Sequence, residues 1–313
     1  MATALISHPA CLVHEPPDGH PERPARLPAV LSELDRAPFR ALIRQHSRKA
    51  ELDALLRVHT QELVESILGT ANKEAADRGR VRIDADTFMS PGSSEAALRA
   101  AGAVVDAVDG VVAGKFRNAF CAIRPPGHHA ERSRPMGFCL FNNIAVGAMH
   151  ARATHGIQRI AVVDFDVHHG NGTQDVFFRD PEIFYASTHQ MPFYPGTGYE
   201  IERGVSNNVL NHSLLPGSGS AEFRMTYRDS ILPALTAFAP EFIFISAGFD
   251  GHRADPLANL NLGEDDFAWV TAEICAVAAR VCEGRVVSAL EGGYDLDALA
   301  RSAAAHVSAL MEA

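Results

Sequence analysis

From residue 118 onward the sequence repeats one pattern: a short apolar run, a loop rich in glycine and polar residues, and a segment with helical spacing. The apolar runs are short enough to be buried strands, and they lie at 119–123, 160–163, 183–186, 242–246 and 286–290. Helical patterns separate most of them, at 142–154, 221–237 and 265–281. Strands that alternate with helices predict a mostly parallel sheet with helices on both faces.

The first third of the chain predicts one more strand, at 3–6, and helices at 52–68 and 95–112. Between the strand and these helices, residues 14–24 are rich in proline and predict a loop. A small basic cluster at 44–49 is typical of a solvated surface. Because no linker, internal repeat or low-complexity tract divides the sequence, we predict one domain over 1–313.

The charge and cysteine content exclude several classes of protein. The 313-residue chain has 28 basic and 38 acidic residues, a formal charge of −10, which argues against nucleic acid or an anionic membrane as the main partner. Its five cysteines form no C-x-x-C pair, and the odd number predicts free thiols in a reducing compartment. With no signal-peptide pattern and no apolar run approaching 18 residues, we expect a cytoplasmic protein without a membrane span. The sequence leaves a homo-oligomer open.

The strand at 160–163 ends in an unusual polar sequence. Asp164, Asp166 and His168 lie at i, i+2 and i+4, so their side chains leave an extended chain on the same face. Two adjacent buried carboxylates would take up protons unless a cation balanced them. The pattern therefore indicates a divalent metal site, and the glycines at 170 and 172 would let backbone approach a ligand closely.

Three other loops that follow apolar strands carry similar chemistry. They contain His128 and His129, then Asp255, then Tyr294 after a pair of glycines. Any one of these features alone is more often structural. Because the carboxyl ends of parallel strands meet at one edge of a sheet, however, the four loops together would supply metal ligands, a general base and an oxyanion donor.

These loops resemble those of the zinc-dependent histone deacetylase family. The sequences Asp-Phe-Asp-Val-His-His-Gly-Asn-Gly-Thr-Gln at 164–174 and His-Pro-Glu-Arg-Pro at 20–24 are most similar to its class II branch and bacterial relatives, including acetylpolyamine amidohydrolases. The similarity runs from about residue 8 to residue 300. It implies the arginase/deacetylase fold, a single α/β domain with a central eight-stranded, mostly parallel sheet flanked by helices.

The resemblance also implies two ions. The first is a catalytic Zn²⁺ held by Asp166, His168 and Asp255, with the remaining coordination open, as is typical of catalytic zinc. Oxygen-rich ligation does not select zinc strongly, so iron or cobalt could substitute. The second is a structural K⁺ held by Asp164, Ser187 and backbone carbonyls.

The family pattern assigns catalytic roles to five side chains. It makes His129 the general base and acid, His128 its electrostatic partner, and Asp164 the group that orients His128. Asn171 lies where class I enzymes have an aspartate behind the second histidine, and its neutral amide would support an imidazolium less than a carboxylate would. Tyr294 matches the hydroxyl that donates to the developing oxyanion.

Four residues match the family's substrate channel. Phe138 and Tyr194 correspond to the aromatic walls of a narrow channel, although Phe193 leaves the register of the second wall open. Gly292 precedes the catalytic tyrosine and belongs to the substrate site. Leu257 stands where enzymes dedicated to polyamines can place an acidic gatekeeper, so we expect a preference for acyl-lysine.

The sequence therefore predicts an amidohydrolase that removes an acetyl or similar acyl group from an amine. Its substrate remains open among acyl-lysine in proteins, acetylpolyamines and small amides. An arginase-like ureohydrolase would need a second metal and an Asp-x-Asp pair, which 250–255 lacks. A non-catalytic module that binds acyl-lysine would not need the intact set of His128, His129 and Tyr294.

Overall fold

The computed structural model describes residues 2–313. Its strands are β1 (Thr3–Ser7), β2 (Ile43–His46), β3 (Val81–Arg82), β4 (Phe88–Met89), β5 (Asn118–Cys121), β6 (Ile160–Asp164), β7 (Ile183–Gln190), β8 (Val209–Leu214), β9 (Phe242–Ala247) and β10 (Val286–Leu290). Its α-helices are α1 (Arg26–Leu34), α2 (Leu52–Leu56), α3 (Gln61–Glu65), α4 (Ala71–Arg78), α5 (Ser93–Val112), α6 (Asn143–His155), α7 (Asn171–Phe177), α8 (Ser220–Thr226), α9 (Leu232–Phe238), α10 (Glu264–Val281) and α11 (Leu296–Glu312).

Eight strands form one sheet in the order β2-β1-β5-β10-β9-β6-β7-β8, and every neighbouring pair is parallel. The short strands β3 and β4 form a separate antiparallel hairpin. All six predicted strands are confirmed, as β1, β5, β6, β7, β9 and β10. The predicted single-domain α/β architecture is confirmed as well, with a sheet that is wholly parallel.

The two outermost strands of the sheet, β2 and β8, were not predicted. Residues of β2 are exposed, as a basic surface cluster requires, yet they pair with β1 along the whole strand. Edge strands such as these have one solvated side, so their sequences lack the continuous apolar run of a central strand.

The predicted helices are found, and two of them are interrupted. Segment 52–68 divides into α2, α3 and a π-helical turn, because the Thr60 side chain caps a new helix by accepting from the Leu63 N–H at 3.3 Å. Segment 221–237 divides into α8, a π-helical turn and α9. No helix within residues 2–313 combines the length and apolar character needed to cross a bilayer.

The sheet separates two apolar cores. One contains α5 and α6, packed on side chains such as Val162 and Phe244. The other contains α1, α10 and α11, packed on Val163 and Ile245 from the opposite face. Because consecutive side chains of a strand point to opposite faces, strands buried on both sides need an unbroken apolar sequence.

The topology places the loops after β5, β10, β9 and β6 side by side, since these strands are adjacent in the sheet. Two of these loops end at a helix whose first turn is capped by a side chain. Asn142 accepts from the Ala145 N–H at 3.0 Å where α6 begins, and Asp295 accepts from the Ala298 N–H at 2.8 Å directly after Tyr294. The chemistry-bearing loops are therefore held between a buried strand and a capped helix.

Candidate active site

Asp166, His168 and Asp250 form a compact group at the carboxyl edge of the sheet. The Nδ1 atom of His168 lies 3.1 Å from Asp166 Oδ1 and 3.2 Å from Asp250 Oδ2. All three side chains are buried, and one candidate ligand atom from each lies within 4.8 Å of the others. The two carboxylates come from the loops after β6 and β9, which are neighbouring strands.

Asp255 does not join this group, which corrects the expected ligand set. Its Oδ1 accepts from the backbone N–H of Leu257 at 3.0 Å, and its Oδ2 accepts from that of Tyr294 at 2.8 Å. Asp255 therefore ties the loop after β9 to the loop after β10. Asp250 takes its place in the group because it is only three residues beyond the end of β9, where the chain is still directed by the sheet.

The three side chains fit a divalent cation. Apart from its 3.2 Å contact with His168 Nδ1, Asp250 Oδ2 is buried without a hydrogen-bond partner among the described residues. The backbone approaches both carboxylates closely. A Cβ atom added to Gly248 would lie 1.9 Å from Asp166 Oδ2, and one added to Gly292 would lie 1.9 Å from Asp250 Oδ2. Two close carboxylates and an imidazole make a donor set that suits zinc and similar ions.

The predicted substrate residue Gly292 lies against these carboxylates. Its N–H donates to Asp166 Oδ2 at 2.8 Å. The absence of a side chain is what allows this approach, because any Cβ would overlap the carboxylates of Asp166 and Asp250. The contacts of Gly292 in the structure are thus with Asp166 and Asp250, two of the three side chains that could hold a cation.

The two histidines of the loop after β5 are oriented separately. His128 Nδ1 lies 3.0 Å from Asp164 Oδ2, and His129 Nδ1 lies 2.8 Å from Asn171 Oδ1. Since a carboxylate and an amide oxygen only accept hydrogen bonds, each Nδ1 donates. The Nε2 atom of His129 is then left as a proton acceptor.

Their surroundings shift the pKa values of the two histidines in opposite directions. Burial opposes protonation of His128, but the carboxylates of Asp166 and Asp164 outweigh it and raise its pKa well above the ordinary value. Burial, followed by the neighbouring His128 and His168, lowers the pKa of His129 well below its ordinary value. A charged and a neutral imidazole side by side are suited to electrostatic stabilisation and to proton acceptance, respectively.

The carboxylate of Glu131 lies behind Asn171, and its role was not predicted from the sequence. The amide Nδ2 of Asn171 donates to Glu131 Oε1 at 2.7 Å. Glu131 also pairs with Arg134, its Oε2 lying 3.4 Å from Arg134 Nε. The amide that accepts from His129 is therefore itself backed by a negative charge, and the only sequence signal was an acid two residues after His129.

Tyr294 is close enough to Asp250 and Asp166 for their charges to act on it, and its ring is enclosed. The Arg26 guanidinium stands 5.0 Å from the ring centroid, and the Phe138 ring meets it edge-on at 6.0 Å. Arg26 is fixed by donating to the backbone carbonyls of Gly293 at 2.6 Å and Glu291 at 2.5 Å. Burial raises the pKa of Tyr294 well above its ordinary value, so the hydroxyl keeps its proton as a donor.

The expected channel aromatics surround the histidines. Tyr194, 37% exposed, meets His129 edge-on with ring centroids 5.2 Å apart. Its neighbour Phe193 stacks on His168 at 5.1 Å, so both residues of the ambiguous pair approach the site. Phe138 adopts a positive φ of 69°, and its N–H donates to Thr87 Oγ1 at 3.0 Å.

The structure also shows the contacts of Leu257 and of the two expected potassium ligands, Asp164 and Ser187. Leu257 is half-buried, and its N–H is bound to Asp255. Asp164 and Ser187 are partners in the parallel register of β6 and β7. Asp164 Oδ2 accepts from the Tyr185 hydroxyl at 3.2 Å, and Ser187 Oγ lies 2.9 Å from His189 Nδ1.

Comparison with known proteins identifies the family of this arrangement. The pattern that defines the histone deacetylase domain matches residues 20–310. The chain is 39% identical to the histone deacetylase-like amidohydrolase of Pseudomonas aeruginosa, over 88% of this chain and 73% of that protein. It is 38% identical to Type-2 histone deacetylase 2 of Dictyostelium discoideum over 99% of this chain, although it spans only 21% of that protein.

A solved structure shows the same fold. The HDA15 HD domain superposes with a TM-score of 0.93 at 33% identity, covering 99% of this chain and 88% of that one. Both the sequence match and the superposition extend over the four loops that build the site. The chain therefore belongs to the histone deacetylase family of deacetylases and amidohydrolases.

Proposed function

We propose that this protein is a zinc-dependent amidohydrolase that removes an acetyl or similar acyl group from an amine on a linear chain. The observation that carries the proposal is that His129 lies 5.8 Å, ring to ring, from His168, and that Tyr294 follows Gly292, whose N–H binds Asp166, at the same edge of the sheet. The reaction adds water across the amide: a C–O bond forms, the C–N bond breaks, and a carboxylate and an amine leave.

Asp166, His168 and Asp250 would hold the zinc ion and leave its remaining positions open. The chemistry that such an ion supplies is polarisation of the acyl carbonyl and activation of a water molecule. We also propose a structural K⁺ beside Asp164 and Ser187, on the strength of the resemblance and of their pairing across β6 and β7.

The protein groups handle the protons. His129, neutral because of its lowered pKa, accepts a proton at Nε2 from the attacking water and later gives it to the departing nitrogen. Asn171 holds the donating Nδ1 of His129 in place. Charged His128 stabilises the negative charge that develops, and the Tyr294 hydroxyl donates to the oxyanion of the tetrahedral carbon.

An acyl-lysine side chain fits the channel best. Phe138 and Tyr194 present ring surfaces suited to an extended alkyl chain, and half-buried Leu257 provides no charge for a second ammonium group. The negative net charge favours a cationic substrate, such as a lysine-rich protein or an acetylpolyamine with a free ammonium group.

One observation favours acetylpolyamine as a second candidate. Asp86 lies between β3 and β4, and its Oδ1 accepts from the Thr87 hydroxyl at 3.1 Å. The same hydroxyl accepts from the N–H of Phe138, so the carboxylate stands near the channel wall. A second ammonium group on the substrate would find its counter-charge there.

The substrate assignment is tested by measuring kcat/KM on an acetyl-lysine peptide and on acetylputrescine, side by side, with a chelator control. We expect the peptide to be preferred by about tenfold or more, the scale that roughly 1.4 kcal/mol of differential binding provides. A preference for acetylputrescine that Asp86→Asn abolishes would instead identify the protein as an acetylpolyamine hydrolase. Turnover that resists the chelator would refute a metal-dependent mechanism.

The metal assignment is tested with a matched pair of aspartates. Asp250→Asn should hold one zinc ion fewer per chain than the wild type, because it removes a ligand charge, whereas Asp255→Asn should hold as many as the wild type. Zinc content after dialysis, measured on the purified variants by atomic emission, gives the answer independently of activity. Zinc retained by Asp250→Asn and lost by Asp255→Asn would restore Asp255 as the ligand.

A further inference from the structure

The last turns of α5 and α6 carry a second compact group of metal-ligating side chains. His150 Nε2 and His155 Nε2 each lie 2.7 Å from Asp109 Oδ1. The two imidazole rings are 5.6 Å apart and inclined by 80°, so they approach one carboxylate oxygen from different directions. The three candidate ligand atoms lie within 4.8 Å of one another, as do those of the group at the active site.

This group lies at the edge of the sheet opposite the active site. Helix α6 begins at Asn143, shortly after the channel residue Phe138, and its final residue His155 precedes the start of β6. Asp109 likewise lies near the end of α5, before the start of β5. Because the active-site loops follow the carboxyl ends of β5 and β6, the group is separated from them by the length of these strands.

The charges around the group leave a net negative site. Arg48 pairs with Asp109 Oδ2 and, through Nε at 2.7 Å, with Asp106 Oδ1. One guanidinium thus faces two carboxylates, and one negative charge remains for the two imidazoles. His150 Nδ1 lies 3.3 Å from the Thr154 hydroxyl, a contact that orients the ring and supports metal binding through Nε2.

Each Nε2–H donates to Asp109 Oδ1 in the structure, because a carboxylate oxygen only accepts hydrogen bonds. When the imidazoles carry their protons at Nδ1 instead, both Nε2 lone pairs face the carboxylate and a divalent cation can take the place of the two hydrogens. Donor atoms bound tetrahedrally at about 2.0–2.1 Å from zinc are roughly 3.3 Å apart. Widening each 2.7 Å contact by about 0.6 Å, which partly exposed side chains allow, therefore makes room for the ion.

We propose that Asp109, His150 and His155 form a second divalent metal site that joins the ends of α5 and α6. Two imidazole nitrogens and one carboxylate oxygen favour Zn²⁺, Co²⁺, Ni²⁺ or Cu²⁺ over Mg²⁺ or Ca²⁺. Side-chain exposures of 11% for His150, 21% for His155 and 32% for Asp109 leave water to complete the coordination and let the ion exchange. The site is structural, and it does not depend on the proposed catalytic function.

The test is zinc stoichiometry of the full-length protein after equilibrium dialysis at pH 7.5, compared with that of a His150→Ala/His155→Ala variant. We expect the variant to hold one zinc ion fewer per chain and to keep its deacylase activity, since the active-site ion is unaffected. His212→Ala, which removes a histidine bonded only to Ser230 among the described residues, is the matched control and should bind as much zinc as the wild type.

A second measurement, on a single substitution, tests the proposal even if the double variant folds poorly. Added Zn²⁺ should raise the melting temperature of the chain less in His155→Gln, a single change at the end of α6, than in the His212→Ala control. Equal zinc content in wild type and double variant, or equal thermal shifts in His155→Gln and His212→Ala, would overturn the proposal. In that case the three side chains form a hydrogen-bonded cluster that holds no metal.

Discussion

At the scale of single residues, the Tyr294 hydroxyl is the group whose removal should affect turnover most selectively. Its ring is fixed by Arg26 and Phe138 and its backbone by Asp255, so Tyr294→Phe should leave the site assembled. We expect kcat to fall by about 10²-fold or more, the scale of one lost oxyanion donor, with zinc content unchanged. Steady-state kinetics on an acetyl-lysine substrate measure this, and a rate within about threefold of wild type would remove Tyr294 from the mechanism.

Glu131 allows a prediction about the shape of the pH profile. Glu131→Gln keeps a group that can accept from Asn171 but removes the negative charge behind it. Without that charge the imidazolium of His129 is less stable, so its pKa falls and the acid limb of the kcat/KM profile moves to lower pH. We expect kcat to drop about tenfold, as for other residues that orient a functional group from behind.

The control for Glu131→Gln places a negative charge directly beside His129. Adding Asn171→Asp to Glu131→Gln places a carboxylate directly against His129 Nδ1, so the acid limb should return toward higher pH. A uniform loss of rate with an unmoved pH profile, in either variant, would show that Glu131 only supports the loop.

At the scale of elements, the packing of α5 depends on the absence of a side chain at Gly102. A Cβ atom there would lie 2.0 Å from the Arg48 carbonyl oxygen and 2.8 Å from the Ala50 backbone nitrogen. These are backbone atoms, and the Ala50 N–H is held by the Leu98 carbonyl at 2.9 Å, so neither can move aside freely. Gly102→Ala should therefore destabilise the fold by about 1–3 kcal/mol in urea unfolding.

The matched comparison for this prediction is Gly69, in the π-helical turn after α3. A Cβ atom there meets nothing within 4 Å. Gly69→Ala should be neutral or stabilising by up to about 1 kcal/mol, because alanine restricts the unfolded chain. Equal effects of the two substitutions would show that the segment 48–50 does not pack tightly on α5.

At the scale of the whole molecule, buried neutral histidines should make stability fall on acidification. Burial lowers the pKa of His14, His59 and His189 to about 4, and that of His306 to about 3. Between these values and the unfolded value of about 6.5, the unfolded chain binds protons that the folded chain does not. Each of these histidines therefore lowers stability by roughly 1.4 kcal/mol per pH unit as pH falls from about 6.5 toward 4. Glu291 and Asp255, whose pKa values burial raises to about 7, oppose them and make the net slope smaller.

Urea midpoints measured across this pH range test the prediction, and His306 offers a clean variant. It lies between the hydroxyls of Thr271 and Ser288, at 2.6 and 2.8 Å, which a glutamine can also satisfy. His306→Gln should reduce the pH slope by about one proton. An unchanged slope in His306→Gln would show that His306 does not contribute to the pH dependence of stability.

The sequence by itself determined the central strands and the loops that carry the chemistry. A strand buried on both faces must be continuously apolar, so β6, β9 and β10 are visible in a single sequence. His128, Asp166, His168 and Tyr294 follow such strands, and the parallel topology alone brings their loops to one edge.

Only the tertiary structure decided which side chains of those loops meet. The loop after β9 offers both Asp250 and Asp255, and no local periodicity says which one faces His168; contacts with the neighbouring loops direct Asp255 to the Tyr294 N–H instead. The edge strand β2 likewise exists through its hydrogen bonds to β1 rather than through an apolar sequence. The carboxylate of Glu131 behind Asn171, and the meeting of α5 and α6 at Asp109, also depend on packing between segments that are distant in the chain.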